Sequence, residues 1–325
     1  MVGCVIVVDD KIVGEGFTSP YGGPHAEVNA IDSVSNKELL TKAILYVSLE
    51  PCSHFGKTPP CSDYIIKHQI PKVVIGVIDD NSLVSGKGIE RLKDNGVEVI
   101  TGILEKECEA INKRFFTFHN KKRPYIVLKW AQTNDGFIDR LRKEGEPIEP
   151  TWISNRYSQQ LVHQWRSEEQ SIMVGTNTVL KDNPRLNVRS WQGENPVRIV
   201  LDNSLRIPKN AHVFDGTIKT IVFTSSRIGF PIENSNVEVA VIDYSKEVAE
   251  QVCTYLYEKD IQSILIEGGA KTIQSFINAN LWDEARVFIG ISRFLKGVPA
   301  PRIQNHSFSA ENVGSDVLVY YSNNN

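Results

Sequence analysis

His25 and Glu27 stand two positions apart, and Cys52 and Cys61 follow, each directly behind a proline. A catalytic divalent ion takes about three protein donors and keeps one position open for water. One imidazole and two thiolates supply those donors. The thiolates must be deprotonated, which a helix N-terminus favours. Cys61 comes straight after Pro59-Pro60, where proline suits a helix start. Glu27 is badly placed to ligate the same ion, but it can reach water there and carry protons between that water and a leaving amine. A lone histidine is usually a cap or a core residue, and a lone buried cysteine is usually inert. The four together point to a hydrolytic zinc site. His-x-Glu followed by Pro-Cys and a second Cys is the signature of zinc-dependent nucleobase deaminases. Eight residues, Ser53 to Pro60, separate the cysteines where two are usual.

A second site is suggested by Gly268-Gly269, which follows the apolar run Ile264–Ile266 and Glu267 and precedes a helical stretch. Two glycines let backbone N–H groups approach a phosphate at a helix start. No G-x-G-x-x-G follows a strand in this half, so the standard dinucleotide fingerprint is absent.

The elements that must position these residues divide the chain in two, as 325 residues suggest. Residues 1–120 alternate short apolar runs with helical stretches. A hairpin turns at Asp9-Asp10-Lys11, helices are expected from His25 to Val34, Cys61 to His68 and Leu104 to Asn112, and strands over Ala43–Leu49, Val73–Ile78 and Val97–Thr101. That pattern predicts a mainly parallel α/β sheet. Asn120-Lys121-Lys122-Arg123-Pro124 reads as a solvated linker. The second domain, 124–325, restarts with a strand at Tyr125–Trp130. A helix follows over Asn155–Arg166, capped by Ser154, and further strands lie at 172–174, 197–201, 220–223, 264–266, 286–289 and 317–321. Helices are expected over Val248–Tyr257 and Lys271–Asn278, and Asn323–Asn325 should fray.

Composition is that of a globular protein, with 41% hydrophobic and 23% charged residues. A net charge of −3 argues against nonspecific nucleic-acid binding. No apolar run approaches the ~18 residues needed to span a bilayer. Five cysteines, an odd number, fit a reducing, cytoplasmic setting better than a disulfide framework. Cys4, Cys108 and Cys253 lack partners at ligand spacing and are expected to be core filler.

Gly23-Pro24-His25-Ala26-Glu27 and Glu50-Pro51-Cys52-Ser53-His54-Phe55-Gly56-Lys57-Thr58-Pro59-Pro60-Cys61 closely resemble the deaminase half of the bifunctional riboflavin-biosynthesis deaminase/reductase family, which uses this longer loop. The resemblance implies zinc on His25, Cys52 and Cys61, Glu27 as proton shuttle, and substrate roles for Lys57 and His54. Leu128-Lys129-Trp130-Ala131, Asp135-Gly136, Trp152-Ile153-Ser154, Val162 to Arg166, Gly175 to Leu186, Arg189 and Glu267-Gly268-Gly269 are similar, in order, to the reductase half. It implies a cytidine-deaminase-like domain followed by a dihydrofolate-reductase-like one that uses NADPH. Carried over position by position, Lys129, Arg166, Leu186, Arg189 and Glu267 face the substrate, with Lys129 catalytic. Trp152, Thr178, Asp182 and Gly269 hold the cofactor. Arg166 and Arg189 have the forked geometry that grips a phosphate.

The implied partner is a small pyrimidine ribotide, with no nucleic acid and no membrane, and a homo-oligomer is expected. Pro150 stands where the family has a serine two positions before the tryptophan, Thr151 offers a hydroxyl one residue later, and 139–149 is unusually charged. Family members carry an N-terminal helix and an Asn-Pro segment ahead of the first strand. This chain begins beside that place, so both are expected to be missing, with deamination at risk and reduction intact. The alternatives are a reductase with an inactive zinc domain, a nucleic-acid deaminase, and a zinc-stabilised nucleotide-binding module.

Overall fold

In a computed structural model of the chain, describing residues 2–20, 22–55, 59–79, 85–143, 145, 149–230 and 234–323, two compact units form: Met1–Lys121 and Lys122–Asn325.

The N-terminal unit runs β1 (Gly3–Val8), β2 (Lys11–Phe17), α1 (Ala26–Ser33), β3 (Ile44–Leu49), α2 (Cys61–Lys67), β4 (Lys72–Val77), α3 (Lys87–Asp94), β5 (Glu98–Thr101) and α4 (Glu105–Lys121). Asp9 and Asp10 both take positive φ, 48° and 60°, as a two-residue hairpin turn requires. The sheet order is β2-β1-β3-β4-β5. β1 pairs antiparallel with β2 and β3, while β3-β4-β5 is parallel. The sheet is thus mixed rather than mainly parallel, because the hairpin fixes β1 and β2 antiparallel. Cys4, Ile6, Leu45, Val47, Val73 and Ile75 bury one face of the sheet with Ala26, Ala30, Ile31 and Ile65 of the helices. Gly14 and Gly16 let α1 lie directly on β2. A Cβ on Gly16 would stand 2.4 Å from the Ala30 nitrogen, and one on Gly14 would stand 2.6 Å from the Ala30 oxygen. That close approach sets the height of His25 and Glu27 over the sheet.

The C-terminal unit runs β6 (Tyr125–Thr133), β7 (Phe137–Arg140), α5 (Arg156–Glu168), β8 (Ser171–Gly175), α6 (Thr176–Asp182), β9 (Val197–Leu201), β10 (Thr220–Thr224), β11 (Val237–Val241), α7 (Val248–Glu258), β12 (Ser263–Gly268), α8 (Ala270–Asn278), β13 (Glu284–Gly290), β14 (Gly297–Pro299), β15 (Phe308–Val313) and β16 (Asp316–Ser322). Nine strands form one sheet in the order β11-β10-β9-β8-β12-β6-β13-β16-β15. It is parallel from β11 to β13, and β16 and β15 close it antiparallel. Alternate residues of single strands enter different cores. Ile126, Leu128, Ile264 and Ile266 join one cluster, and Val127, Leu265, Ile172 and Val174 join another. A sheet buried on both faces explains the unbroken apolar runs in the sequence.

Several expectations shift. α4 continues through Lys121, so the expected linker is partly helix. Arg123, expected in solvent, is buried and forms a two-pronged ion pair with Asp283 at 2.6 and 2.8 Å. The cap of α5 is Asn155, not Ser154; its side chain accepts from the Tyr157 and Ser158 N–H groups. Asn323 is buried and donates to Asn280 and to the Trp282 carbonyl, so the tail is tied down at that residue. Cys4 and Cys253 are buried, whereas Cys108 is only partly so. β7, β11, β14 and β15 are short or edge strands whose apolar patterning is too weak to read in sequence.

Candidate active sites

The three donors named from sequence converge in the N-terminal unit. His25 caps the start of α1, and Cys61 opens α2 directly after Pro60. His25 Nδ1 lies 3.6 Å from Cys52 Sγ and 3.3 Å from Cys61 Sγ, and all three donor atoms fall within 4.8 Å of one another. Zinc bonds of about 2.0 and 2.3 Å at a tetrahedral angle separate a nitrogen from a sulfur by roughly 3.5 Å. The donor set therefore fits zinc in number, type and spacing.

Its surroundings favour thiolate. The Cys61 N–H points at Cys52 Sγ at 3.3 Å. The Cys61 thiol, with that N–H and His25, pulls Cys52 down to about 4 against the cost of burial. Cys61 is pushed up by the proton it shares with Cys52 and by burial. One of the two sulfurs is thus already favoured as thiolate. Glu27, 3% exposed, is pushed up to about 7 by burial, a range suited to moving a proton at neutral pH.

Sequence reasoning missed Glu50. Its buried carboxylate accepts from the Gly86, Gly88 and Ile89 N–H groups at 3.0, 2.9 and 3.3 Å. It ties the turn before Cys52 to the start of α3; its place in Glu50-Pro51-Cys52 was the available signal. His54 lies exposed on the loop between the cysteines. Lys57 lies outside the described residues.

In the C-terminal unit a cavity of about 1040 Å³ opens at the carboxyl ends of β6, β8, β9 and β12, where open α/β sheets bind ligands. Lys129, Trp152, Arg166, Thr178, Asp182, Leu186, Arg189, Glu267 and Gly269 all line it. Gly268 has φ +137°, and a Cβ on Gly269 would stand 3.3 Å from Thr178 Oγ1. The missing side chains keep a strip of backbone open before α8, which suits a dinucleotide phosphate, and NADPH fits this lining.

Arg166 departs from its expected part. Nε and Nη2 bind the two Glu267 oxygens at 2.6 and 2.8 Å, and Nη1 donates to the Asn187 carbonyl at 3.1 Å. The fork expected to grip a phosphate is closed on a carboxylate. Burial raises the Glu267 carboxyl, but the charges of Arg166 and Lys129 prevail and hold it at about 2. Lys129 Nζ sits 3.8 Å from Glu267; burial lowers its pKa against the pull of that carboxylate.

His163, within the Val162–Arg166 stretch, is a site residue that sequence reasoning missed. It is three positions before Arg166 on the same helical face, is buried, and lines the cavity. Burial and the neighbouring Arg166 and Arg189 hold it down to about 4, so it stays neutral. Its Nδ1 accepts the Arg189 N–H at 3.3 Å. The charged stretch noted before Trp152 also closes on the site. Arg142 reaches Asp139, Thr151 and Asp182, at 3.2 Å in each case, and Thr151 donates to Asp139 at 2.6 Å.

Residues 1–77 match the family model of the cytidine and deoxycytidylate deaminase zinc-binding region, and residues 124–291 that of the RibD C-terminal domain. The chain is 37% identical to the riboflavin biosynthesis protein RibD of Aquifex aeolicus, over 98% of this chain and 91% of that protein. Against RibD of Actinobacillus pleuropneumoniae the identity is 40%, over 89% and 77% of the two chains. The crystal structure of a diaminohydroxyphosphoribosylaminopyrimidine deaminase/5-amino-6-(5-phosphoribosylamino)uracil reductase from Thermotoga maritima is similar at a TM-score of 0.86 and 39% identity, covering 99% of this chain and 91% of that one. Among the described residues no helix is long and apolar enough to cross a membrane.

Proposed function

The chain belongs to the RibD family of bifunctional riboflavin-biosynthesis enzymes, and from that premise we propose which unit and which residues carry each reaction. The N-terminal unit removes an amino group hydrolytically from a diaminohydroxyphosphoribosylaminopyrimidine. The C-terminal unit reduces the ribosyl group of the product to ribityl with NADPH. The convergence of His25, Cys52 and Cys61 beside the buried Glu27 carries the first assignment.

When bound, zinc supplies water acidified toward neutral pH. Glu27 takes the proton from the attacking water and passes it to departing ammonia. His54 and Lys57 contact the substrate on the strength of the resemblance. In the second reaction NADPH supplies hydride, and a proton must reach the nitrogen or oxygen sharing the bond reduced at C1′. Lys129, its cation kept in place by Glu267, polarises that bond. Arg189 and Leu186 seat the substrate, and Arg166 orients Glu267 rather than gripping phosphate. Trp152, Thr178, Asp182 and Gly269 hold the cofactor.

A reductase with an inactive zinc domain is not favoured, since the zinc-binding region is matched over residues 1–77. Five free cysteines support a cytoplasmic setting, and a homo-oligomer, readable by light scattering, completes the reading.

The test follows zinc content, ammonia release and NADPH absorbance in one preparation, with and without a chelator. Chelation should stop ammonia release and leave reduction of the deaminated pyrimidine intact. Glu27→Gln should retain zinc while ammonia release falls roughly 100- to 10,000-fold. Ammonia release that survives metal removal refutes the assignment.

A further inference from the structure

Among the described residues, nine lysine and arginine side chains line the cavity of the C-terminal unit. Lys129, Arg142, Arg166, Lys181 and Lys246 each pair with a carboxylate. Among the described residues Arg185, Arg189, Arg206 and Lys271 have no such partner. They occupy different places. Arg185 and Arg189 follow α6, and Arg189 feels the charges of Arg166 and Glu267. Lys271 stands in the first turn of α8, just after Gly268-Gly269. Of these four, Arg206 stands on the loop that leaves β9.

Across the sheet, β9 and β6 are separated by β8 and β12. At about 4.8 Å per strand, Arg206 lies roughly 14 Å across the sheet from the strand that carries Lys129. An extended dinucleotide reaches that far. With its nicotinamide beside Lys129 and its pyrophosphate at the glycines, its adenosine arrives at the end of β9.

We propose that Arg206 binds the 2′-phosphate of the NADPH adenosine and so sets the preference for NADPH over NADH. The inference rests on the reductase reading above. The loop is formed in advance. Buried Asp202 accepts from the Arg206 and Ile207 N–H groups at 3.1 and 2.9 Å and from Thr176 Oγ1 at 3.2 Å. Among the described residues the guanidinium makes one side-chain hydrogen bond, Nη2 to the neutral Asn177 Oδ1 at 3.4 Å. It keeps its charge and most of its planar fork for an anion, the geometry that matches phosphate. Tyr244, its hydroxyl fixed on the Phe223 carbonyl at 2.8 Å, lines the same cavity and offers a ring face to adenine. Glu247 also lines it; its carboxylate repels a phosphate, which makes the placement of a free arginine decisive.

Calorimetry of the full chain with NADPH, NADH and 2′,5′-ADP tests this directly. Arg206→Ala should weaken NADPH and 2′,5′-ADP roughly 10- to 100-fold, the loss expected for one charge-assisted contact, while NADH binding keeps its wild-type value. Arg206→Lys should retain part of the preference, because it keeps the charge and loses the fork. An alanine variant that binds NADPH like wild type, or that loses NADPH and NADH in equal proportion, overturns the proposal alone. A wild-type chain that binds neither NADPH nor 2′,5′-ADP overturns the reductase reading together with it.

Discussion

The Arg166–Glu267 pair shows how much one side chain can differ from its apparent purpose. In sequence Arg166 is a phosphate-gripping arginine; in the structure its fork is closed on Glu267. The pair also predicts an acid sensitivity. The Glu267 carboxyl sits at about 2 in the folded chain against an ordinary value of 4.5. Its folded pKa is depressed, so its contribution is complete above about 4.5 and fades as pH falls toward 2. At 1.36 kcal/mol per unit that contribution is about 3 kcal/mol. Denaturant midpoints measured between those pH values should fall more steeply for wild type than for Glu267→Gln. Parallel profiles would refute the assignment. The zinc donors needed no such correction: histidine and cysteine in that pattern have few uses other than a metal, so residue type and spacing carried them.

At the scale of elements, strands buried on both faces were the most legible. Val197–Leu201 has the same bounds in sequence and structure, because an unbroken apolar run leaves no alternative environment. Edge elements such as β15, whose residues are mostly exposed, carry no such signal. The segment before β6 misled because a basic, proline-ended stretch looks like a connector. Arg123 instead meets Asp283, 160 residues away, and that same carboxylate accepts the Ile126 N–H at 2.8 Å. It anchors the start of β6 beside β13. Arg123→Met would strip the buried Asp283 carboxylate of that guanidinium, at a cost of about 3–5 kcal/mol and a fall in Tm on the order of 10 °C. Adding Asp283→Leu should recover part of that loss. Thermal scans of the two variants check this; a single variant that melts with wild type removes the anchor from the account.

For the whole molecule, two units with separate cores, one holding the His/Cys/Cys donors and the other the cavity proposed for NADPH, predict two ligand-specific responses. A chelator should lower the transition of the N-terminal unit, and NADPH should raise that of the C-terminal unit by about 2.7 kcal/mol at a hundredfold excess over Kd. Calorimetric scanning with each ligand separately reads both. A single transition moved by either ligand would contradict it. By itself, the sequence determined the two α/β halves, the His/Cys/Cys donor set with the glutamate beside it, and the ordered set of residues that line the C-terminal cavity, since each depends on residue type, local spacing or strand-length apolar runs. Only the tertiary structure decided which charges are spent on one another. Arg166 closes on Glu267, Arg142 braces Asp139 and Asp182, and Arg206 is left open. Ion pairs are chosen by which strand ends and helix faces become neighbours, and that neighbourhood is set by sheet order, which no local stretch of sequence encodes.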